Sequence, residues 1–367
     1  MQTLHRNFTC CLCLAALVLL CSCGESPLAG KVQGNFYTPR YANGFCIDTC
    51  GGAKVLTVVN PFQQAQKICY RYPIGATPPQ RVICMSTTHV AFLSFIDKTS
   101  GLVGVSGAGN LYDSTMQAAY VANRIADVGY DKSLNMEKML ELQPDVIFTY
   151  GVSGEFLSTA EKLEELGLRV VYIGEYTEQH PLGKAEWAVA FAAFWGCEAE
   201  VVDKFAQVEA TYLSLKDLAA TSPEKVKVLL NAPWGDAWFV PGAYGNAATL
   251  LEDAQGESAI PLRRHRDSYP ISIETAYSHA QSADIWLNTG QASSLSELRV
   301  MHKLIENIPA FRCGKAYNCN ARTSPQGGND FFESGTVNPH LILKDVVKLL
   351  HPDLLPDYTL TYYRQLQ

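Results

Sequence analysis

Past its first twenty residues the chain has no apolar run long enough for a helix to cross a membrane. A basic excess is also missing: 29 Lys+Arg stand against 36 Asp+Glu, a net charge of −7, and the only dense basic cluster is Arg263-Arg264-His265-Arg266. Nucleic acid is therefore not expected as a partner. No paired C-x-x-C and no Cys/His spacing suggests zinc, so no metal site is expected. The catalytic signatures G-x-S-x-G, H-E-x-x-H and G-x-x-x-x-G-K-S/T are absent as well. Ser86 and His89 stand three apart, but such a pair needs a third group and an oxyanion site to act.

What is present begins at the N-terminus. Arg6 precedes an apolar run from Phe8 to Leu20, followed by Leu20-Cys21-Ser22-Cys23. A core of 13 residues is too short to cross a bilayer, and it ends in small residues as an export signal does. The cysteine at the cut marks a lipoprotein signal: residues 1–22 leave and Cys23 becomes the lipidated N-terminus, holding the body at a membrane. Gly24, where an Asp can retain a lipoprotein at the inner membrane, favours outer-membrane sorting in a Gram-negative host. About 345 residues remain, with 28 Lys+Arg against 36 Asp+Glu. That length suggests two domains or one large one.

Of 12 cysteines, seven outlast processing and lipidation, so they cannot all pair. Cys46 with Cys50, and Cys313 with Cys319, each bracket a short segment and can close a small loop in an oxidising compartment. Cys84 and Cys197 read as small buried hydrophobes.

Residues 23–52 are rich in Gly, Pro and Asn without periodicity and read as a tether. The folded body is expected to start near Val55, and an N-terminal α/β lobe is assigned to residues 53–181. There β-branched runs (81–85, 102–105, 145–150, 169–173) alternate with helical ones (88–95, 134–142, 156–166), the pattern of a parallel sheet. Residues 182–222 are almost wholly helical. Val201, Phe205, Val208, Tyr212 and Leu215 form one apolar stripe, Gly196 interrupts the run and Pro223 ends it. A helix from about Cys197 to Ala220 would be roughly 36 Å long at 1.5 Å per residue, a strut between lobes or an ordinary long helix on one sheet. Alternation resumes over 223–367, the C-terminal lobe. Its helix-breaker-Asp-strand unit, Ser272-Ile273-Glu274 through Ala283-Asp284-Ile285-Trp286, rhymes with Asn135-Met136-Glu137 through Pro144-Asp145-Val146-Ile147 in the first. The expected architecture is α/β: two Rossmann-like lobes enclosing a cleft at the carboxyl ends of their strands.

The segments Arg81-Val82-Ile83 into Ser86-Thr87-Thr88-His89, Leu102 to Val105, Ile125-Ala126-Asp127-Val128-Gly129, Asn135 to Ile147, Lys162 to Leu168, and Gly328 to Glu333 together carry a family likeness. From about residue 55 onward the chain resembles the periplasmic binding proteins for iron-siderophore complexes and vitamin B12 that serve ATP-driven importers. The resemblance implies two lobes bridged by one long helix, a bound metal chelate, no cofactor of its own, a monomer, and docking to the permease subunits of an ABC importer. A haem or corrinoid capture lipoprotein without an importer is the alternative, and a two-lobed metal-chelate enzyme a more distant one. Residues 175–195 and the basic run at 263–266 depart from the family pattern.

Strand ends and the loops after them supply the candidate ligand contacts. In the first lobe these are Ser86, Thr87, Thr88 and His89, then Asn110, Tyr112 and Tyr150. Ser86 or Thr87 serves equally well as a helix cap. In the second lobe Trp234 and Trp238 lie among Pro and Gly after a strand, where aromatic faces suit flat or bulky ligands, although Trp238 also fits a core position. Tyr244, Arg322, Asn329 and Phe331 complete the set, with Arg322 able to pair with an anionic chelate. In the family, acidic residues on the rim meet transporter arginines. The matching positions are Glu155 and Glu297, each near a helix start after a strand, where the helix dipole favours an acid without any partner.

Overall fold

Val82-Ile83-Cys84 and Val146-Ile147-Phe148 are buried at every position, the mark of strands covered on both faces. They form the centre of the first parallel sheet in a computed structural model that describes residues 32–62, 68–130, 133–151 and 154–367. The export signal and Cys23 lie outside the described residues. In chain order the first lobe runs β5 (Val82–Cys84), α1 (Thr87–Phe95), β6 (Leu102–Val105), α2 (Ser114–Val121), β7 (Ala126–Asp127), α3 (Met136–Glu141), β8 (Val146–Thr149), α4 (Gly154–Glu165) and β9 (Val170–Tyr172). Its five strands are ordered β7-β6-β5-β8-β9 and all are parallel.

The second lobe contains β10 (Val226–Leu230), β11 (Pro233–Trp234), β12 (Ala237–Val240), α7 (Asn246–Asp253), β13 (Gly256–Ser258), β14 (Tyr269–Ser272), α8 (Ile273–Ala280), β15 (Ile285–Leu287), α9 (Leu295–Met301), α10 (Pro309–Arg312), β16 (Ala316–Asn318), α11 (Ser334–Val337), α12 (Pro339–Leu350) and β17 (Arg364–Gln365). Its main sheet is ordered β13-β10-β15-β16-β17, parallel except for the edge strand β17. A small antiparallel sheet, β11-β12-β14, follows directly from the end of β10.

The rhyme between the lobes has one physical cause. The Asp145 carboxylate accepts the backbone N–H groups of Gln80 (2.7 Å) and Arg81 (2.8 Å), and Asp284 accepts that of Lys227 (2.9 Å). Each aspartate, placed just before its own strand, satisfies donors that the neighbouring strand exposes at its start.

Two helices join the lobes. The apolar side chains of α5 (Pro181–Ala192) begin in the second lobe's core with Leu182 and Ala185 and finish in the first lobe's core at Trp187 to Ala192. After Gly196, whose φ of 67° gives the left-handed break that a glycine permits, α6 (Glu198–Ala219) returns. Its stripe starts in the first core at Val201 and continues in the second through Phe205, Val208, Tyr212, Leu215 and Ala219. Thus α6 is the strut, and α5 crosses beside it in the opposite sense.

The expected tether is corrected. Residues 32–50 carry two strands, β1 (Val32–Tyr37) and β2 (Phe45–Cys50), which pair antiparallel and continue into β3 (Ala53–Val59) and β4 (Cys69–Pro73). Phe45, Ile47, Leu56 and Val58 join the first lobe's core. The loop between β1 and β2 is held by two buried acids from far along the chain. Glu186 accepts the N–H groups of Arg40 (2.8 Å), Tyr41 (2.8 Å) and Ala42 (2.9 Å) and the Tyr37 hydroxyl (2.7 Å). Glu178 accepts those of Asn43 (3.0 Å) and Gly44 (2.9 Å) and the indole N–H of Trp187 (2.9 Å). A segment whose composition is loop-like is ordered because distant carboxylates satisfy its backbone donors.

The expected disulfides are corrected as well, since all seven cysteines in the described residues are free. Cys46 and Cys50 occupy one extended strand and so stand about 13 Å apart. Cys313 is exposed after α10 and Cys319 is buried beyond β16, with that whole strand extended between them. A bridge needs Cα atoms within about 7 Å.

Candidate functional site

A cavity of about 450 Å³ opens where the strands of the second lobe end against the first. Asn231 follows β10 and Asn288 follows β15, both in left-handed backbone at φ of 66° and 61°. Asparagine is among the few side chains that tolerate this conformation, so both strands stop there and turn their amides to the cavity. Asn246 at the start of α7, Asn318 at the end of β16 and Asn329 bring three more amides. Thr88 of α1 forms the first lobe's side, Lys184 comes from the start of α5, which runs between the lobes, and Phe331, Phe332 and Tyr363 supply aromatic surface.

Several of these polar groups already have partners. Asn318 Nδ2 donates to the carbonyls of Gly290 and Ala292, both at 2.8 Å, and its Oδ1 accepts the N–H of Cys319 at 3.0 Å. Tyr363 donates its hydroxyl to Asn288 Oδ1 at 2.7 Å, and Asn231 Nδ2 donates to the Phe239 carbonyl at 2.8 Å. Thr88 donates to Glu175 Oε1 at 2.8 Å, while Glu175 Oε2 lies 4.0 Å from His89 Nε2. Burial pulls the His89 pKa down, opposed by Glu175, so the ring is neutral at neutral pH. Cys319, also lining the cavity, is an unreactive thiol whose pKa burial pushes up to about 12.

The residues expected at a ligand distribute unevenly. Asn329 and Phe331 line the cavity. Ser86 caps α1, its Oγ accepting the Thr88 N–H at 3.2 Å, and Thr87 begins that helix. His89 is completely buried, its Nδ1 3.2 Å from the Phe148 carbonyl, and lies behind the wall rather than in it. Tyr150 follows β8 with its ring against His89 and Tyr176. Trp234 and Tyr244 are exposed, at 69% and 49%, on the second lobe beyond β10. Trp238 is corrected from the cleft to the core: it is 1% exposed, donates its indole N–H to the Leu230 carbonyl at 2.9 Å and stacks on Trp286. Alternation along β12 decides this, because Trp238 and Val240 face inward while Phe239 faces out.

Arg322, Tyr112 and Asn110 belong to a different place. A second cavity of about 550 Å³ is lined by Tyr112, Asp113, Arg322, Asp330 and Glu333 among others. Arg322 is paired there with Asp330 (2.7 Å) and lies over the Tyr112 ring, so it is not an open cation for a chelate. The Glu333 carboxylate accepts the N–H groups of Tyr112 (2.8 Å) and Asp113 (2.9 Å), and Gly328 packs on the Asn110 carbonyl so closely that a Cβ would come within 2.1 Å. This edge joins the lobes.

Sequence reasoning missed Lys184, Asn231, Asn246 and Asn288. Lys184 sits in an apolar helix, and asparagine after a strand reads as an ordinary turn. The left-handed turn at corresponding strand ends in one sheet was the available signal. At the rim, Glu297 is exposed and its carboxylate accepts the Ser293 N–H at 2.7 Å, while the Oγ of the N-cap Ser294 accepts the Glu297 N–H at 3.2 Å at the start of α9. Glu155 is the second residue of α4, and its side chain lies outside the described residues. Among the described residues no cluster of ligating side chains fits a metal ion and no helix is long and apolar enough to cross a membrane.

Three relatives frame this geometry. An uncharacterized lipoprotein of Methanocaldococcus jannaschii is 27% identical over 303 residues, spanning 80% of this chain and 70% of that protein. The solved structure of a periplasmic binding protein from Veillonella parvula, 12% identical, covers 81% of this chain and 98% of its own with a TM-score of 0.60. That of a periplasmic heme binding protein from Pseudomonas aeruginosa, 19% identical, covers 75% and 93% with a TM-score of 0.53. Both solved structures share the fold. The model of the family described as periplasmic binding protein matches residues 82–323, from β5 to beyond β16, and the chain belongs to that family of binding proteins.

Proposed function

We propose that this protein captures a metal chelate in the cavity between its lobes and delivers it to an ABC importer while held at a membrane through lipid on Cys23. The observation that carries the reading is the 450 Å³ cavity at the strand ends of the second lobe, closed on its other side by α1 and α5. Its volume lies within the range of small-molecule sites, about 300–1,000 Å³. Binding of a chelate is supported by the likeness in fold to a heme binding protein, and the lipid anchor by a relative named as a lipoprotein. Glu297 and Glu155 are the proposed contacts for transporter arginines. Glu297 is exposed at a helix start, and rim charges steer association more than they hold a complex.

Purification from the membranes of the protein's own host, followed by native mass spectrometry and a visible spectrum, tests this directly. The expected result is a stoichiometric small molecule with a ferric, haem or corrin band. A protein without bound chelate that also fails to take up any from host extract, or one that returns the chelate chemically altered, overturns it.

A further inference from the structure

Among the described residues Lys184 is the single charged one lining the cavity, and no Asp or Glu lines it, although acids exceed bases in the chain by seven. The Lys184 ammonium has no hydrogen-bond or ion-pair partner among the described residues. Burial pulls the Lys184 pKa down, opposed by Glu175, the acid that acts on it electrostatically; Glu175 Oε1 accepts the Thr88 hydroxyl at 2.8 Å, and its buried Oε2 has no hydrogen-bond partner. Around Lys184 the cavity offers further donors without internal acceptors. Asn246 Nδ2 is buried and unpaired, and the Nδ2 groups of Asn288 and Asn329 are uncommitted while their Oδ1 atoms accept from Tyr363 and from the Phe331 N–H. The first turns of α5 and α7 also end on the cavity through Pro181, Asn246 and Ala247, adding the positive ends of two helix dipoles.

A lysine ammonium taken from water and balanced only by an acid it does not touch is costly, and unpaired amide donors add to the cost. An incoming oxyanion removes both penalties at once. We infer that the cavity contains an anion subsite centred on Lys184 Nζ and Asn246 Nδ2, and that the cargo is an acidic ligand presenting a carboxylate or phosphate to it. This rests on the capture reading above and narrows its ligand class. It also replaces the expected cation: Arg322 is paired with Asp330 at the other cavity, whereas Lys184 is not paired.

The experiment titrates the full chain, purified in detergent, with citrate and separately with inorganic phosphate, reading the thermal midpoint at low and high NaCl. Saturable stabilisation by at least one of them is expected, weakened by salt. Lys184→Met should raise the half-saturating concentration tenfold or more, and Lys184→Arg should recover most of the loss. The midpoints of both variants without anion show that they fold. The oxyanion that stabilises identifies which group the subsite takes. No stabilisation by either anion, or equal responses from wild type and Lys184→Met, overturns the subsite. Ferrioxamine B, a cationic ferric chelate, separates the two readings: if it binds while both anions fail, chelate capture stands and the anion subsite does not.

Discussion

The carboxylate of Glu333 in the second lobe takes the backbone N–H of Asp113 in the first at 2.9 Å, and that of Tyr112 at 2.8 Å. On the side away from α5 and α6 this acid thus helps tie the lobes, beside the Gln117 Nε2 bond to Gln326 Oε1 (2.9 Å), Arg322 over the Tyr112 ring and Gly328 against Asn110. Desolvation raises the pKa of Glu333 to about 7, opposed by the two N–H bonds and reinforced by Asp330 and Asp113, while Arg322 pairs with Asp330. A carboxyl with a raised folded value holds its proton more tightly in the folded chain than in the unfolded one. Its burial therefore costs nothing below the ordinary value of 4.5, increasingly more above it, and the full amount above about 7. Between about pH 8 and about pH 5 the wild type should gain stability relative to Glu333→Gln as pH falls. Chemical denaturation of both proteins across that range checks the sign, and a difference that is flat or grows the other way removes Glu333 as the cause.

Gly328 sits against the Asn110 carbonyl with no room for a Cβ, which would fall 2.1 Å from it. Gly328→Ala should therefore separate this edge or distort it, at about 1–3 kcal/mol. Urea midpoints measure the loss. Hydrogen exchange of the Tyr112 and Asp113 amides, which donate to Glu333, should speed up in the same variant.

The two tryptophans of the hairpin after β10 make opposite forecasts. Trp238→Ala opens a hole beside Trp286 and leaves the Leu230 carbonyl without its donor, a loss of about 3–5 kcal/mol. Trp234, 69% exposed, should change stability by no more than about 0.5 kcal/mol when replaced by Ala. If Trp234 contacts the bound chelate, the same variant should lose on the order of 1–3 kcal/mol of affinity. Thermal melts and a ligand titration of the two variants distinguish core from cleft.

Glu186 accepts three backbone hydrogen bonds from the loop that joins β1 and β2 and a fourth from the hydroxyl of Tyr37 at the end of β1. Glu186→Ala leaves three backbone donors near buried surface and should cost on the order of 3–5 kcal/mol. Amide exchange at Arg40, Tyr41 and Ala42 should rise far more than exchange in the parallel sheets. Uniform protection throughout would mean that the strand pairing alone holds this segment.

The local elements and their order are legible in the sequence, because periodicity and breakers act over a few residues. Val82 to Cys84 and Val146 to Phe148 are apolar at strand length, Val226 to Leu230 is apolar but for Lys227, the α6 stripe repeats at helical spacing, and Asp145 and Asp284 mark equivalent strand starts. Which charges find partners depends on the tertiary fold. Glu333 takes the N–H groups of Tyr112 and Asp113 from more than two hundred residues away, Glu186 reaches back more than a hundred residues to Arg40, and Lys184 lines a cavity without a carboxylate. Trp234 and Trp238 differ only in which side of a short hairpin they face, and the packing of Trp286 against one side settles it. Hydrogen bonds and ion pairs between distant residues depend on where the chain folds back, and no window of sequence holds both partners.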